Sequence, residues 1–345
     1  MEFDNRRSTL AQDSHRIIEM VMGYRSAKIL LVAVHFNLFT IIDEGKRSLG
    51  QLSSAAKINP RAAAILLDSL VSMGFLKKTG EKYLNASISN NVLVAGKPGY
   101  IGNNLKYQEL IWDAWSGLKD VVRTGKAQEP LEQKLFQNKV FSREYILGMR
   151  NIARKPAREI ASIIPVERLQ KMLDVGAGPG TYSLALLEKN KKLEADLLDL
   201  PSTVKISREL IKHHAASSRV HFIEGDYNRV SFGRGIYDLV LMSNITHDEG
   251  ERENGNLIKK AYASLKPGGL IVIHDFLVGS DKTSPLFGAM FSVHMLVYTS
   301  KGRTYSFDEY SAWLKKSGFS AIRRYAIAKD LPNSSHAIIA KRPKD

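Results

Sequence analysis

The chain has 345 residues, no cysteine, a formal net charge of +15, and 44% apolar and 25% charged residues, enough for two domains with a large core. The missing cysteines exclude disulfides, thiolate metal sites and a thiol nucleophile, and no His-x-x-x-His spacing is present, so no metal is expected. Apolar runs such as 28–35 are too short to span a membrane and residues 1–7 lack a signal-peptide pattern, so a cytoplasmic protein with no membrane partner is expected.

The positive charge does not point to nucleic acid. Residues 1–100, 101–172 and 173–345 each carry a net +5, whereas nucleic-acid binders concentrate charge on one element.

In chain order, residues 14–42 read as one or two helices with Ile17, Ile18, Val21, Met22, Leu30, Leu31, Val34 and Leu38 at helical spacings. That stripe is wider than one small domain would bury, which predicts a homodimer interface. Helices over Leu49–Lys57 and Arg61–Met73, a turn at Pro60 and a hairpin around Thr79-Gly80 form a winged helix-turn-helix pattern. The second helix offers one arginine and one aspartate to a base edge or phosphate, so the module reads as structural and no nucleic-acid partner is expected. Residues 100–168 read as helical throughout, with Trp112, Trp115, Phe136, Phe141, Tyr145, Met149 and Ile152 read as core, the alternative being a reach over a neighbouring active site. The expected division is a dimerisation domain at 1–100, a helical connector contributing to a pocket at 101–168, and an α/β domain at 169–345.

The α/β domain opens on Leu173-Asp-Val-Gly-Ala-Gly-Pro-Gly-Thr181. A short apolar strand, a turn with Gly176, Gly178 and Gly180, and a helix starting at once bring bare backbone close to a ligand. The third glycine comes one residue early for a dinucleotide fingerprint, and Asp174 would repel a pyrophosphate but suits an amino group. The turn therefore favours S-adenosyl-L-methionine (SAM), against a nicotinamide site or a plain tight turn. The second strand ends at Asp199, placed to accept ribose hydroxyls. The third ends at Gly225-Asp226, where Asp226 faces an adenine amino group with Tyr227 against the ring. Strands over 237–243 and 270–275, a helix over 307–316 and two final strands near 320–328 and 335–341 complete an alternating pattern that argues for a mostly parallel sheet.

Leu173-Asp-Val-Gly-Ala-Gly-Pro-Gly180, Asp199-Leu-Pro201, Gly225-Asp226, His247-Asp248, Lys266-Pro-Gly-Gly269 and the segment 290–319 together resemble the small-molecule O-methyltransferase family. That family includes plant caffeic-acid-type enzymes, hydroxyindole O-methyltransferase and bacterial antibiotic-pathway relatives. The resemblance runs from about residue 10 to the end. It implies a Rossmann-like class I methyltransferase sheet with an N-terminal winged-helix dimerisation domain, SAM as donor, S-adenosyl-L-homocysteine as product and a small, aromatic hydroxyl acceptor. It also implies His247 as general base, suited by its pKa near ~6.5, and Asp275 as the acid that orients it. Leu200 and Ser243 join the cofactor contacts. Met149, Phe287, Met290, Phe291, His294 and Met295 are expected to line the acceptor site, since methionine and phenylalanine suit a flat apolar molecule.

Two departures from the family pattern stand out. His247-Asp-Glu-Gly-Glu lacks the usual tryptophan, and a second glutamate expected near Gly302-Arg-Thr304 has no counterpart. They keep a C- or N-methyltransferase, or another SAM-dependent reaction on a small molecule, as an alternative, with a SAM-sensing DNA-binding regulator a third reading.

Overall fold

The N-terminal stretch folds as a 34-residue helix, α1 (Glu2–His35), and breaks at Asn37, whose φ of 55° turns the chain into α2 (Leu38–Asp43). These come from a computed structural model that describes residues 2–127 and 130–344. Two compact units are present, Met1–Ile111 and Trp112–Asp345. The helical stretch expected as a connector is therefore divided between them.

In the first unit, Ser48 and Gln51 close a capping box at the start of α3 (Leu49–Ala56). Asn59 caps α4 (Pro60–Ser72), with Pro60 in its first turn. Strands β1 (Leu76–Thr79) and β2 (Lys82–Asn85) pair antiparallel with Thr79 opposite Lys82. The tight link between them needs the positive φ of Gly80, 57°. Helix, helix and hairpin thus follow the expected winged-helix order, and α5 (Ser87–Val92) and α6 (Gly102–Leu110) complete the unit. Its core gathers Leu38, Phe39, Ile42, Leu52, Leu67, Leu70 and Tyr83. By contrast Ile17, Ile18, Met20, Val21 and Tyr24 on α1 are each more than half exposed. Burying one such side chain is worth about 1.5–3 kcal/mol, so α1 presents a face that gains from a partner.

The second unit begins with α7 (Trp112–Ser116), α8 (Leu118–Thr124), α9 (Leu131–Gln137) and α10 (Lys139–Ile163). Seven strands follow in one sheet: β3 (Lys171–Val175), β4 (Glu194–Asp199), β5 (Val220–Glu224), β6 (Tyr237–Ser243), β7 (Leu265–Asp275), and, after a small two-stranded pair β8 (Leu277–Val278) and β9 (Tyr305–Ser306), β10 (Ser320–Ile327) and β11 (Ser335–Lys341). Helices α11 (Thr181–Lys189), α12 (Pro201–Ile211), α13 (Glu251–Ser264), α14 (Leu286–Tyr298) and α15 (Phe307–Lys316) alternate with them. The order β10-β11-β7-β6-β3-β4-β5 is parallel from β7 to β5, with β11 antiparallel to β7.

Strand side chains alternate between two cores. Met172, Leu239, Leu241 and Val272 enter one; Leu173, Val175, Val240, Met242, Ile271 and Ile273 enter the other. This two-sided burial is why the central strands read as unbroken apolar runs. Strand order reverses between β3 and β6, and a sheet of this kind opens a crevice at that point, beyond the carboxyl ends of the strands. No helix among the described residues is long and apolar enough to cross a membrane.

Candidate active site

A cavity of about 510 Å³ lies at that crevice, within the range of small-molecule sites. Its wall includes Asp174, Gly176, Gly178, Asp199, Leu200, Asp226, Tyr227 and Ser243, so eight of the nine residues expected to meet the cofactor come together. Gly180 does not line it. A Cβ there would lie 2.7 Å from Ile211 and 3.0 Å from Leu197. Its φ of 70° starts α11, so the third glycine serves close helix–sheet packing rather than ligand approach.

Each acid is held differently. Asp174 accepts from Ser183 Oγ at 2.6 Å; burial raises its pKa to about 7, partly offset by that hydrogen bond. Asp199 accepts from the backbone N–H groups of Gly178 and Leu200, each at 2.7 Å, which ties the glycine turn to the tip of β4. Asp226 accepts from the backbone N–H of Asn228 at 2.8 Å, an Asx turn.

Residues outside the expected contact set also reach this wall. Tyr145, at the same wall as Met149, comes from α10. Asn244 sits at a φ of 55°, an uncommon conformation for a non-glycine residue. Its Nδ2 donates to Tyr182 Oη at 3.2 Å, while its buried Oδ1 has no hydrogen-bond partner among the described residues. Ser243 Oγ bonds His274 Nδ1 at 2.9 Å, and His274 Nε2 bonds Ser335 Oγ at 2.7 Å. Burial pushes His274 down to about 4, so a neutral ring holds the Ser243 hydroxyl.

His247 lies in a short helical turn after β6, 5% exposed and beside wall residues Ile245 and Asp248. Its Nδ1 is 2.6 Å from Asp275 Oδ1, at the end of β7. Burial would lower the imidazole pKa, but the charges of Asp275 and Asp248 outweigh it and raise the pKa to about 9. Burial likewise opposes the Asp275 charge, and the adjacent His247 reverses this to hold the carboxyl below its ordinary value. The other ring nitrogen, Nε2, faces Asp248 Oδ1 at 3.7 Å.

Around that ring the aromatic residues of α14 assemble. Phe291 meets His247 edge-on at 4.8 Å, Phe276 packs on Phe287 and Phe291 at 4.8 and 4.7 Å, and His294 stacks on Phe291 at 5.3 Å. Tyr298, one turn further on, touches His294 at 4.9 Å and enters the cavity wall. Trp115 Nε1–H donates to His294 Nδ1 at 3.2 Å. Met290 and Met295 flank this group on the helix. At 3.6 residues per turn they fall about 70° to either side of the face made by Phe287, Phe291, His294 and Tyr298. Met290 is 56% exposed and Met295 is 3% exposed, one toward solvent and one toward the core.

The segment that lacks the second glutamate is tightly packed. A Cβ on Gly302 would lie 2.3 Å from the His247 carbonyl oxygen and 2.6 Å from Thr299 Oγ1. Thr304 is buried and its hydroxyl bonds Ser292 and the Gly288 carbonyl. Gly302→Ala is expected to push the His247 loop and cost about 1–3 kcal/mol, read as a lowered midpoint in a thermal melt.

The wall fits a nucleoside donor carrying an ammonium group. At Gly178, φ 51°, a Cβ would meet nothing within 4 Å, so bare backbone faces open space. The unsatisfied Asn244 Oδ1 and the carboxylates of Asp174, Asp199 and Asp226 supply acceptors for amino and hydroxyl groups. Residues 115–320 match the family model of the O-methyltransferase domain, and residues 18–95 that of the O-methyltransferase dimerisation domain. The chain belongs to the O-methyltransferase family. This methyltransferase is 27% identical over 317 residues to the tetracenomycin polyketide synthesis 8-O-methyl transferase TcmO of Streptomyces glaucescens, covering 90% of this chain and 93% of the relative. It is 26% identical over 316 residues to the 3-hydroxy-5-methyl-1-naphthoate 3-O-methyltransferase of Streptomyces sahachiroi, covering 90% and 91%. The solved O-methyltransferase family protein from Burkholderia thailandensis superposes with a TM-score of 0.85 at 25% identity, covering 96% and 98% of the two chains. Solved structures of the same fold include human N-acetylserotonin methyltransferase in complex with SAM, at 21% identity and a TM-score of 0.86 over 96% of this chain and 98% of that one.

Proposed function

We propose that the methyl group goes to a hydroxyl of a small, flat aromatic molecule, that His247 is the general base and Asp275 its orienting partner, and that the protein works as a homodimer. The observation that carries this reading is the buried His247–Asp275 pair, 2.6 Å apart, ringed by Phe276, Phe287, Phe291 and His294 next to the acid-lined cavity. The relatives named for polyketide and naphthoate O-methylation support an aromatic acceptor. The matched dimerisation domain and the apolar face of α1 support the dimer.

Bound SAM supplies a methyl group made electrophilic by its sulfonium. In this proposal Asp199 accepts ribose hydroxyls, Asp226 and Tyr227 meet the adenine, and Asp174 with Ser243 takes the amino group. Asp275 accepts the Nδ1–H of His247, which leaves Nε2 to take the proton of the acceptor hydroxyl. A phenol titrates near ~10. A base near 9 lies within about one unit of it, so proton transfer is nearly balanced. The aromatic shell keeps water from the ring and favours a planar acceptor.

A pKa near 9 also means that the free pair holds its extra proton at pH 7, so turnover rises with pH toward 9. Asp275→Asn removes the negative charge that raises the histidine. Burial is then opposed by Asp248 alone, and the acid limb of kcat/KM moves down from about 9 toward the ordinary value of ~6.5, with a lower plateau because alignment is weakened. A pH–rate profile of the variant whose acid limb stays at 9 would remove His247 as the titrating base.

A further inference from the structure

Asp275 does more than meet one imidazole nitrogen. Its Oδ1 accepts from His247 Nδ1 at 2.6 Å and from the backbone N–H of Phe276 at 2.7 Å. Its Oδ2 accepts from the backbone N–H of His247 at 3.1 Å and from the Thr246 hydroxyl. Tyr310, on α15 and fully buried, places its hydroxyl 2.6 Å from Thr246 Oγ1 and 3.3 Å from the same Oδ2. The protons can be followed. A carboxylate only accepts, so the Thr246 proton goes to Asp275. Thr246 Oγ1 then has only lone pairs left for Tyr310, and the phenol donates to it. The result is a chain, Tyr310 to Thr246 to Asp275, in which each hydroxyl polarises the next.

We propose that Thr246 and Tyr310 are positioning residues that fasten the second oxygen of Asp275 and temper its pull on the His247 proton. Donors on Oδ2 draw negative charge away from Oδ1, the oxygen that faces Nδ1. A carboxylate so occupied aligns the imidazole without binding its proton as tightly as a bare one would, which eases return of the histidine to the neutral form that acts as base. The two hydroxyls thus perform a holding role on the far side of the acid, and they reach it from separate elements, the loop after β6 and α15. Other charged or titratable groups facing the pair are Asp248 from the His247 loop, His274 from β7, His294 from α14 and Tyr182 from α11. None of these donates to Oδ2 among the described residues.

The test uses the full-length protein with 15N-labelled histidine, and the His247 signal is assigned by its loss in His247→Gln. Its titration is followed by NMR in Thr246→Val, Tyr310→Phe and the double variant, with folding checked by circular dichroism. Each single change leaves one hydroxyl near Oδ2 and raises the His247 midpoint slightly; the double change raises it by roughly half a unit or more. Thr246→Ser, which keeps the hydroxyl, returns the wild-type midpoint. A purely structural role would lower the melting temperature and leave the titration in place. A folded double variant whose His247 titrates at or below the wild-type midpoint overturns the proposal. The catalytic consequence rests on His247 being the base, but this titration needs neither acceptor nor turnover, so it stands or falls separately from that reading.

Discussion

His247→Ala is expected to lower kcat by about 10²–10⁴-fold, the usual contribution of a positioned general base, with SAM affinity essentially unchanged. The separation follows from where the ring sits. His247 is packed on Phe276 and Phe291 and does not belong to the cavity wall that gathers Asp174, Asp199 and Asp226. Alanine also strands the buried Asp275 carboxylate, and breaking a buried charge pair typically costs about 3–5 kcal/mol of stability. His247→Gln is therefore the companion variant, since its amide N–H can still meet Asp275 while lacking a base. Calorimetric titration with SAM and single-turnover rates with an accepted substrate separate binding from chemistry. Full turnover in folded His247→Gln would sink the general-base role.

Asp199→Ala is expected to act on the other partner and weaken SAM binding by about 100-fold, from the loss of roughly 3 kcal/mol of hydrogen bonding to a charged group. Asp199 has two tasks. It presents acceptors at the tip of β4, and it holds the backbone N–H groups of Gly178 and Leu200 at 2.7 Å. Removing it takes away the proposed ribose contact and also frees the glycine turn that forms the floor of the cavity. Asp199→Asn keeps an acceptor oxygen and should fall between wild type and alanine. Equilibrium dialysis with labelled SAM reads both, and wild-type affinity in Asp199→Ala would place the nucleoside elsewhere.

Much of this site was legible because its signals are local. The central strands are buried on both faces and so appear as short apolar runs, and β3 runs into a glycine and β4 ends in an acid where the sheet meets the cavity. The positive φ values of Gly176 and Gly178, 65° and 51°, are what the alternate glycines announce. Boundaries were read less well where chain geometry overrides pattern. β7 starts at Leu265 rather than Leu270, because Gly268 at φ 83° lets the Lys-Pro-Gly-Gly segment bend onto β6 with a register shift between Tyr237 and Leu239.

Contacts between distant residues that no motif announces were not legible. Thr246 and Tyr310 are ordinary in their own elements, and only folding brings their hydroxyls within 2.6 Å. Asn244 reads as a loop residue, and neither its left-handed backbone nor its unsatisfied oxygen leaves a trace in composition. On α14 the helical period identified the aromatic face, and Phe287, Phe291 and His294 gather near His247.

The most direct test of O-methylation is to supply SAM labelled with 13C in its methyl group and follow the label. Hydroxynaphthalenes, hydroxyanthraquinones and the corresponding aminoarenes would be offered together, and the products read by carbon NMR. The account predicts a methoxy resonance on a hydroxyarene, present with the wild-type protein and absent with His247→Gln. Label on a ring carbon or an amine nitrogen, or label remaining on SAM with every compound offered, would contradict it.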